Sequence, residues 1–172
     1  MPSRPCHSGP STRSWPRKKT FLTRPVSVCP GLLGGVETPA ATADGRVFVP
    51  VVDLCYRENA TGSAAQSFDR VDPAAGRGRL VALDLGSGRV LWQKPLPAPA
   101  FGCATVSKDV VFTSTYDGTL YGFQVSDGRE VWRAHAPAGI NACPAVAGDR
   151  LVVAAGVRNR RGASLELLMY RL

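Results

Sequence analysis

The sequence predicts an all-β chain of four-stranded antiparallel blades, a partial, open β-propeller with about three blades present. Three observations predict it. The segment VALDLGSGRVLW, from Val81 to Trp92, recurs as YGFQVSDGREVW, from Tyr121 to Trp132; the offset of 40 residues carries Gly88 onto Gly128 and Trp92 onto Trp132. Cys103 and Cys143 keep the same offset of 40, each just ahead of a short strand pattern. Composition agrees, because 18 Gly and 14 Pro together with abundant Val and Leu favour short strands and tight turns over long helices.

Residues 1–33 are rich in Pro, Ser and Arg and show no helical or strand periodicity, so a disordered basic leader is expected there. Arg4, Arg13, Arg17, Lys18, Lys19 and Arg24 supply six of the formal charges behind the net +8, with no acidic residue among them. The remaining body therefore carries only +2, and a basic nucleic-acid face is not expected. No apolar run reaches the ~18 residues of a membrane span. No apolar h-region follows the basic start, so the pattern of a signal peptide is missing.

The repetitive body is assigned to residues 34–172, with blades at about 34–92, 93–132 and 133–172. Each copy opens with a strand A, a tight turn and a strand B. GGVETPAATADGRVFVPVVDLC turns at Asp44-Gly45, CATVSKDVVFTST near Lys108-Asp109, and CPAVAGDRLVVAAG at Gly148-Asp149. A third strand follows in each: LVALDL from Leu80, LYGFQV from Leu120 and LLMYRL from Leu167. The first two copies continue through a glycine turn into a fourth strand ending at Trp92 or Trp132. One blade cannot bury both of its faces, so stacked neighbours must supply the core. The third copy stops after its third strand, and three blades fall short of the roughly four to eight of a closed ring. The chain thus reads as the last three blades of a larger propeller. Missing blades brought by another chain are the alternative.

Ala82, Asp84, Gly88 and Trp92 match a known pattern. The segment resembles the pyrroloquinoline quinone (PQQ) repeat, Ala-x-Asp-x-x-Thr-Gly-x-x-x-Trp, with Ser87 in place of Thr. The second copy keeps Gly128 and Trp132 but has Gly122, Gln124 and Asp127 where the repeat has Ala, Asp and Thr. The expected roles are structural: Gly permits the positive φ of the hairpin turn, Trp covers the junction between blades, and Asp84 accepts hydrogen bonds from turn amides. The resemblance implies a non-catalytic binding or assembly scaffold. As the alternative it implies the C-terminal part of a quinoprotein dehydrogenase using PQQ and calcium. It also implies an exported parent protein.

Strand order sorts the connections onto two faces. A–B and C–D turns share one, and B–C and D–A connections share the other. The second face carries the long B–C loop from Tyr56 to Gly78, with Arg57, Glu58, Asp69, Arg70 and Asp72, and the basic tip Arg158 to Arg161. Long loops on a rigid scaffold are where binding tends to sit, so a protein or small-molecule partner is expected here. The D–A connections end in GGVETP, FGCATV and GINACP, which place Thr38, Cys103 and Cys143 at corresponding points. Glu37, Cys103, Asn141 and Cys143 are therefore candidate ligand- or cofactor-binding residues around a channel mouth. Under the dehydrogenase reading, Glu37 and Asn141 would imitate a calcium-binding pair of oxygen ligands.

The five cysteines have no zinc spacing, and His7 and His135 stand alone, so no metal site is assigned from these residues. The same isolation excludes a hydrolase triad and leaves no catalytic residue to name. Cys55, Cys103 and Cys143 read as buried thiols. A disulfide is the alternative, because bridging depends on Cα separation rather than on sequence.

Overall fold

The computed structural model describes residues 26–31, 33–58, 72–159 and 161–172. The leader reading for residues 1–25, and those for Asp69, Arg70 and Arg160, lie outside the described residues. Thirteen strands are present among the described residues: β1 (Val26–Val28), β2 (Ala41–Ala43), β3 (Arg46–Asp53), β4 (Tyr56–Glu58), β5 (Arg77–Asp84), β6 (Val90–Leu96), β7 (Thr105–Ser107), β8 (Val110–Ser114), β9 (Thr119–Gln124), β10 (Glu130–His135), β11 (Ala145–Ala147), β12 (Arg150–Ala155) and β13 (Glu166–Arg171). They form blade 1 in the order β2-β3-β5-β6, blade 2 as β7-β8-β9-β10, and blade 3 as the three-stranded β11-β12-β13. All pairings within the blades are antiparallel. No helix among the described residues is long and apolar enough to cross a membrane.

Two boundaries differ from the sequence expectation. The fourth strands run beyond the tryptophans, to Leu96 in β6 and His135 in β10, because pairing with β5 and β9 continues past the turn motif. Ordered structure also begins inside the stretch assigned to the leader. There β1 pairs with β4, Val26 opposite Glu58 and Val28 opposite Tyr56, and a disulfide joins Cys29 to Cys55 with Cα atoms 4.5 Å apart. This two-stranded sheet occupies the first residues of what reads as the long B–C loop.

The core lies between blades. Side chains alternate across a strand, so neighbouring residues of β8 serve different junctions. Val111, with Tyr121 and Phe123, packs on Phe48, Leu80 and Ala82 of blade 1. Phe112, with Leu120, packs towards Leu151 and Val153 of blade 3. All of these are buried, and each large apolar side chain so placed contributes about 1.5–3 kcal/mol. Blade 2 is thus apolar on both faces, while blades 1 and 3 have one face each in a junction.

The repeat motif closes turns and junctions. Asp84 Oδ1 accepts from the Ser87 amide at 2.8 Å and the Ser87 hydroxyl at 2.7 Å. Gly88 and Gly128 sit at φ 71° and 70°, the left-handed region that side chains disfavour. In the second copy the turn carboxylate has moved: Asp127 Oδ1 accepts from the Arg129 amide at 2.8 Å, and Gln124 donates instead to Asp109 at 2.7 Å. Trp92 reaches forward onto blade 2, its Nε1 donating to the Val125 carbonyl at 3.1 Å and its ring lying over Gly128. Trp132 packs edge-on against Phe112 at 5.8 Å and against Tyr170 of blade 3 at 5.6 Å.

Candidate functional face

The face carrying the D–A connections is built by three equivalent lead-ins to the inner strands. Residues 37–40 precede β2, 101–104 precede β7 and 141–144 precede β11. Strand positions fix the equivalences. Pro39, Cys103 and Cys143 stand two residues ahead of Ala41, Thr105 and Ala145. This corrects the sequence alignment by one place, since Pro39 rather than Thr38 matches the cysteines. Two residues further out, Glu37, Phe101 and Asn141 are equivalent.

Hydrogen bonds stitch these lead-ins across the blades. The Ala104 amide donates to the Pro39 carbonyl at 3.2 Å, and the Thr105 hydroxyl to the Pro144 carbonyl at 2.6 Å. The Gly102 carbonyl accepts from Thr113 Oγ1 at 3.1 Å, while its amide donates to the Ser114 carbonyl at 3.0 Å. Cys103 and Cys143 form a disulfide between blades 2 and 3, with Cα atoms 4.6 Å apart. The expectation of buried thiols is therefore corrected for these two residues and for Cys55. The inner strands of successive blades approach closely enough to bridge, which a sequence offset of 40 does not reveal.

The short B–C turn of blade 2 also faces this way. Asp117 Oδ1 accepts from the Thr115 hydroxyl at 2.6 Å and the Thr119 amide at 3.0 Å, which holds the carboxylate within its own turn. Tyr116 beside it meets Phe101 edge-on at 5.9 Å, and its carbonyl accepts from Asn159 of blade 3 at 2.8 Å. Phe101, Tyr116 and Asn159 escape a reading by residue type. Aligning the lead-ins on the turns would have placed Phe101 beside Glu37 in the repeat. On blade 1 an open groove of about 560 Å³, lined by Arg77, Gln93, Pro95 and Pro97, runs beside the Asp53–Arg79 ion pair at 2.7 Å.

Glu37 and Asn141 are exposed, one on blade 1 and the other on blade 3, with Phe101 at the intervening position. Among the described residues, no three His, Cys, Asp or Glu side chains gather in a way that could hold a metal ion. Of the shifted acids, Asp84 is held below the usual carboxylate range chiefly by the Ser87 hydroxyl, and Asp109 chiefly by the Gln124 amide. Both lie at turns on the opposite face.

The family model described as outer membrane protein assembly factor BamB matches residues 76–167, more than half of the chain. The chain belongs to this family of PQQ-like repeat propellers. A sequence comparison with curated proteins finds no match. Among solved structures, the chain is similar to the quinohemoprotein alcohol dehydrogenase ADHIIG from Pseudomonas putida HK5, with a TM-score of 0.61 and 19% identity over 80% of this chain and 24% of that one. The quinohemoprotein alcohol dehydrogenase from Comamonas testosteroni gives a TM-score of 0.58 and 20% identity, over 78% of this chain and 24% of that one. A europium-containing methanol dehydrogenase gives 0.58 and 20%, over 76% and 26%. At this level of identity the likeness shows the fold alone, a propeller built from PQQ-like blades. The chain spans about a quarter of the length of these three proteins.

Proposed function

We propose that this PQQ-like chain serves as a non-catalytic scaffold, a part of a propeller surface that binds or assembles a partner at the face carrying the D–A and B–C connections. One observation carries the reading: the repeat-motif side chains are engaged in the architecture itself. Asp84 and Gly88 shape a turn, Trp92 covers the next blade's turn, and Trp132 packs onto Tyr170. The three lead-ins then present a carboxylate, an aromatic ring and an amide, Glu37, Phe101 and Asn141, to whatever approaches the face. A mixed polar and aromatic rim on a rigid frame suits recognition of a protein or small molecule. The description of the matching family as an assembly factor supports the same reading.

Titration of the purified protein with PQQ and calcium, followed by absorption and by thermal unfolding, tests it. The scaffold reading expects neither a spectral change nor a thermal shift. A saturable change that is lost on Glu37→Gln or Asn141→Ala would overturn it in favour of a quinoprotein role.

A further inference from the structure

We propose that the seam between the lead-ins of blades 2 and 3 is under redox control: reduction of Cys103–Cys143 releases the lead-in to β11, and with it the Asn141 side of the rim that meets a partner. The bearing on a partner rests on the scaffold reading above, whereas the opening itself does not.

The chain holds two such seams, and the lead-ins on both sides of each are described. At the first, the Ala104 amide donates to the Pro39 carbonyl at 3.2 Å, and Thr38 Oγ1 donates to the Gly102 carbonyl at 3.4 Å. Pro39, Cys103 and Cys143 hold one position, so the place of Ala104 in blade 2 belongs to Pro144 in blade 3. Proline has no amide proton. The backbone bond of the first seam is therefore impossible at the second, where its acceptor would be the Cys103 carbonyl. A disulfide stands there instead, from Cys103 to the residue just before the proline, with Cα atoms 4.6 Å apart. A bond that a reductant cleaves has taken the place of one that it leaves untouched.

Little else holds the lead-in to β11. In the lead-in to β7, the Gly102 amide donates to the Ser114 carbonyl at 3.0 Å, and the Gly102 carbonyl accepts from Thr113 Oγ1 at 3.1 Å. Ala142, the counterpart of Gly102, makes neither bond among the described residues. From Asn141 to Pro144 the polar ties among the described residues are the bridge and the Thr105 hydroxyl on the Pro144 carbonyl at 2.6 Å. Ile140 is buried before this stretch, and β11 begins after it. Once released, the stretch is free to change course between fixed ends. Phe101 and Asn141 each lie two residues ahead of a bridged cysteine, so the bridge sets their spacing across the seam.

The co-reactant is a dithiol. One of its thiolates attacks a bridge sulfur, the S–S bond breaks, and the other sulfur leaves with the electron pair and takes a proton. The second thiol of the reductant then displaces the mixed disulfide. Cys103 and Cys143 gain two electrons and two protons in all, and the dithiol is oxidised to a disulfide. Redox changes of this kind act as local switches when they bias an element with two arrangements.

The test is amide hydrogen exchange on the full chain, oxidised and in dithiothreitol, in a Cys29→Ser/Cys55→Ser background so that the reductant acts on one bridge. The Gly139 and Val157 amides, which bond each other's carbonyls beside the released stretch, should exchange roughly tenfold faster after reduction, about the worth of one hydrogen bond. The Gly102 and Ala104 amides should not change, because their acceptors lie on blades 2 and 1. Cys103→Ser/Cys143→Ser, made in the otherwise unmodified chain, should show the fast pattern without reductant, and it serves alone if the background variant misfolds. Pro144→Ala restores an amide facing the Cys103 carbonyl and should keep Gly139 and Val157 slow after reduction. The proposal is overturned by equal exchange at Gly139 and Val157 in both redox states, by equal acceleration at Gly102 and Ala104, or by a Pro144→Ala variant that opens as far as the unmodified chain. A saturable response to PQQ and calcium would overturn the scaffold reading and leave the redox opening standing.

Discussion

Gly88→Ala and Gly128→Ala place the same methyl group in the same turn of successive blades, yet they should differ sharply in cost. The two residues have φ 71° and 70°, so the conformational part is shared. A left-handed alanine costs about 1–2 kcal/mol, and the stiffer unfolded chain returns about 0.4–1 kcal/mol. The shared part is then about 1 kcal/mol. A methyl at Gly88 meets nothing within 4 Å, whereas at Gly128 it would lie 2.7 Å from the Trp92 ring and from Lys94 Cε. The lysine end can swing away. The indole cannot move freely, because its Nε1 is bonded to the Val125 carbonyl and its ring packs on Phe48 at 5.7 Å. Overpacking of this kind costs about 1–3 kcal/mol. Gly128→Ala should therefore be about 1–3 kcal/mol more destabilising than Gly88→Ala in urea denaturation followed by far-UV circular dichroism, with unchanged m-values. In a Trp92→Ala background the excess should vanish, as the coupling belongs to that pair. Equal costs for the two alanines would refute the placement of Trp92 over the next blade's turn.

Other outcomes follow from the same geometry. Replacing Cys103 and Cys143 by serine removes a cross-link over 40 residues and should cost about 3–4 kcal/mol by the chain-entropy account, a difference that disappears when both proteins are measured in reductant. Identical urea midpoints without reductant would contradict the bridge, and peptide mapping of unreduced protein reports it directly. The folded-state pKa of Asp84 is depressed by its bonds to Ser87, so its contribution is present above the unfolded carboxylate value near ~4 and is lost as pH falls through the lower folded value. Melting temperatures of the unmodified protein and Asp84→Asn should thus differ at neutral pH and converge in acid. Parallel curves down to the lowest pH would count against the turn bond.

The blade was legible because its markers are local. Gly88 with Trp92 and Gly128 with Trp132 report a turn and the strand after it, and turn chemistry acts over a few residues. Non-local features were not legible. The strand Val26–Val28 is three residues long, too short for its alternation to mark it, and depends on pairing with Tyr56–Glu58 far along the chain. The Cys103–Cys143 bridge depends on how closely two inner strands approach, a distance that no residue type encodes. Thr38 stands one place away from the position of the cysteines because the A–B turns, and not the glycines and prolines of the lead-ins, set the register. Glu37 and Asn141 are legible as candidates because they are polar residues of equivalent connections, whereas the aromatic type of Phe101 at the intervening position does not mark it.

The Cys103–Cys143 bridge joins equivalent points of successive repeats, and blade 2, from Thr105 to His135, lies wholly inside the loop it closes. A load applied along the backbone from either side is carried through the sulfur atoms and bypasses that blade. At about 3.3–3.6 Å per residue, roughly 130–145 Å of contour is held out of the force path while the bridge is intact. Mechanically, blade 2 is a protected part of the molecule, as are β2 and β3 inside the Cys29–Cys55 loop, and the yielding elements are β5, β6 and the last sheet.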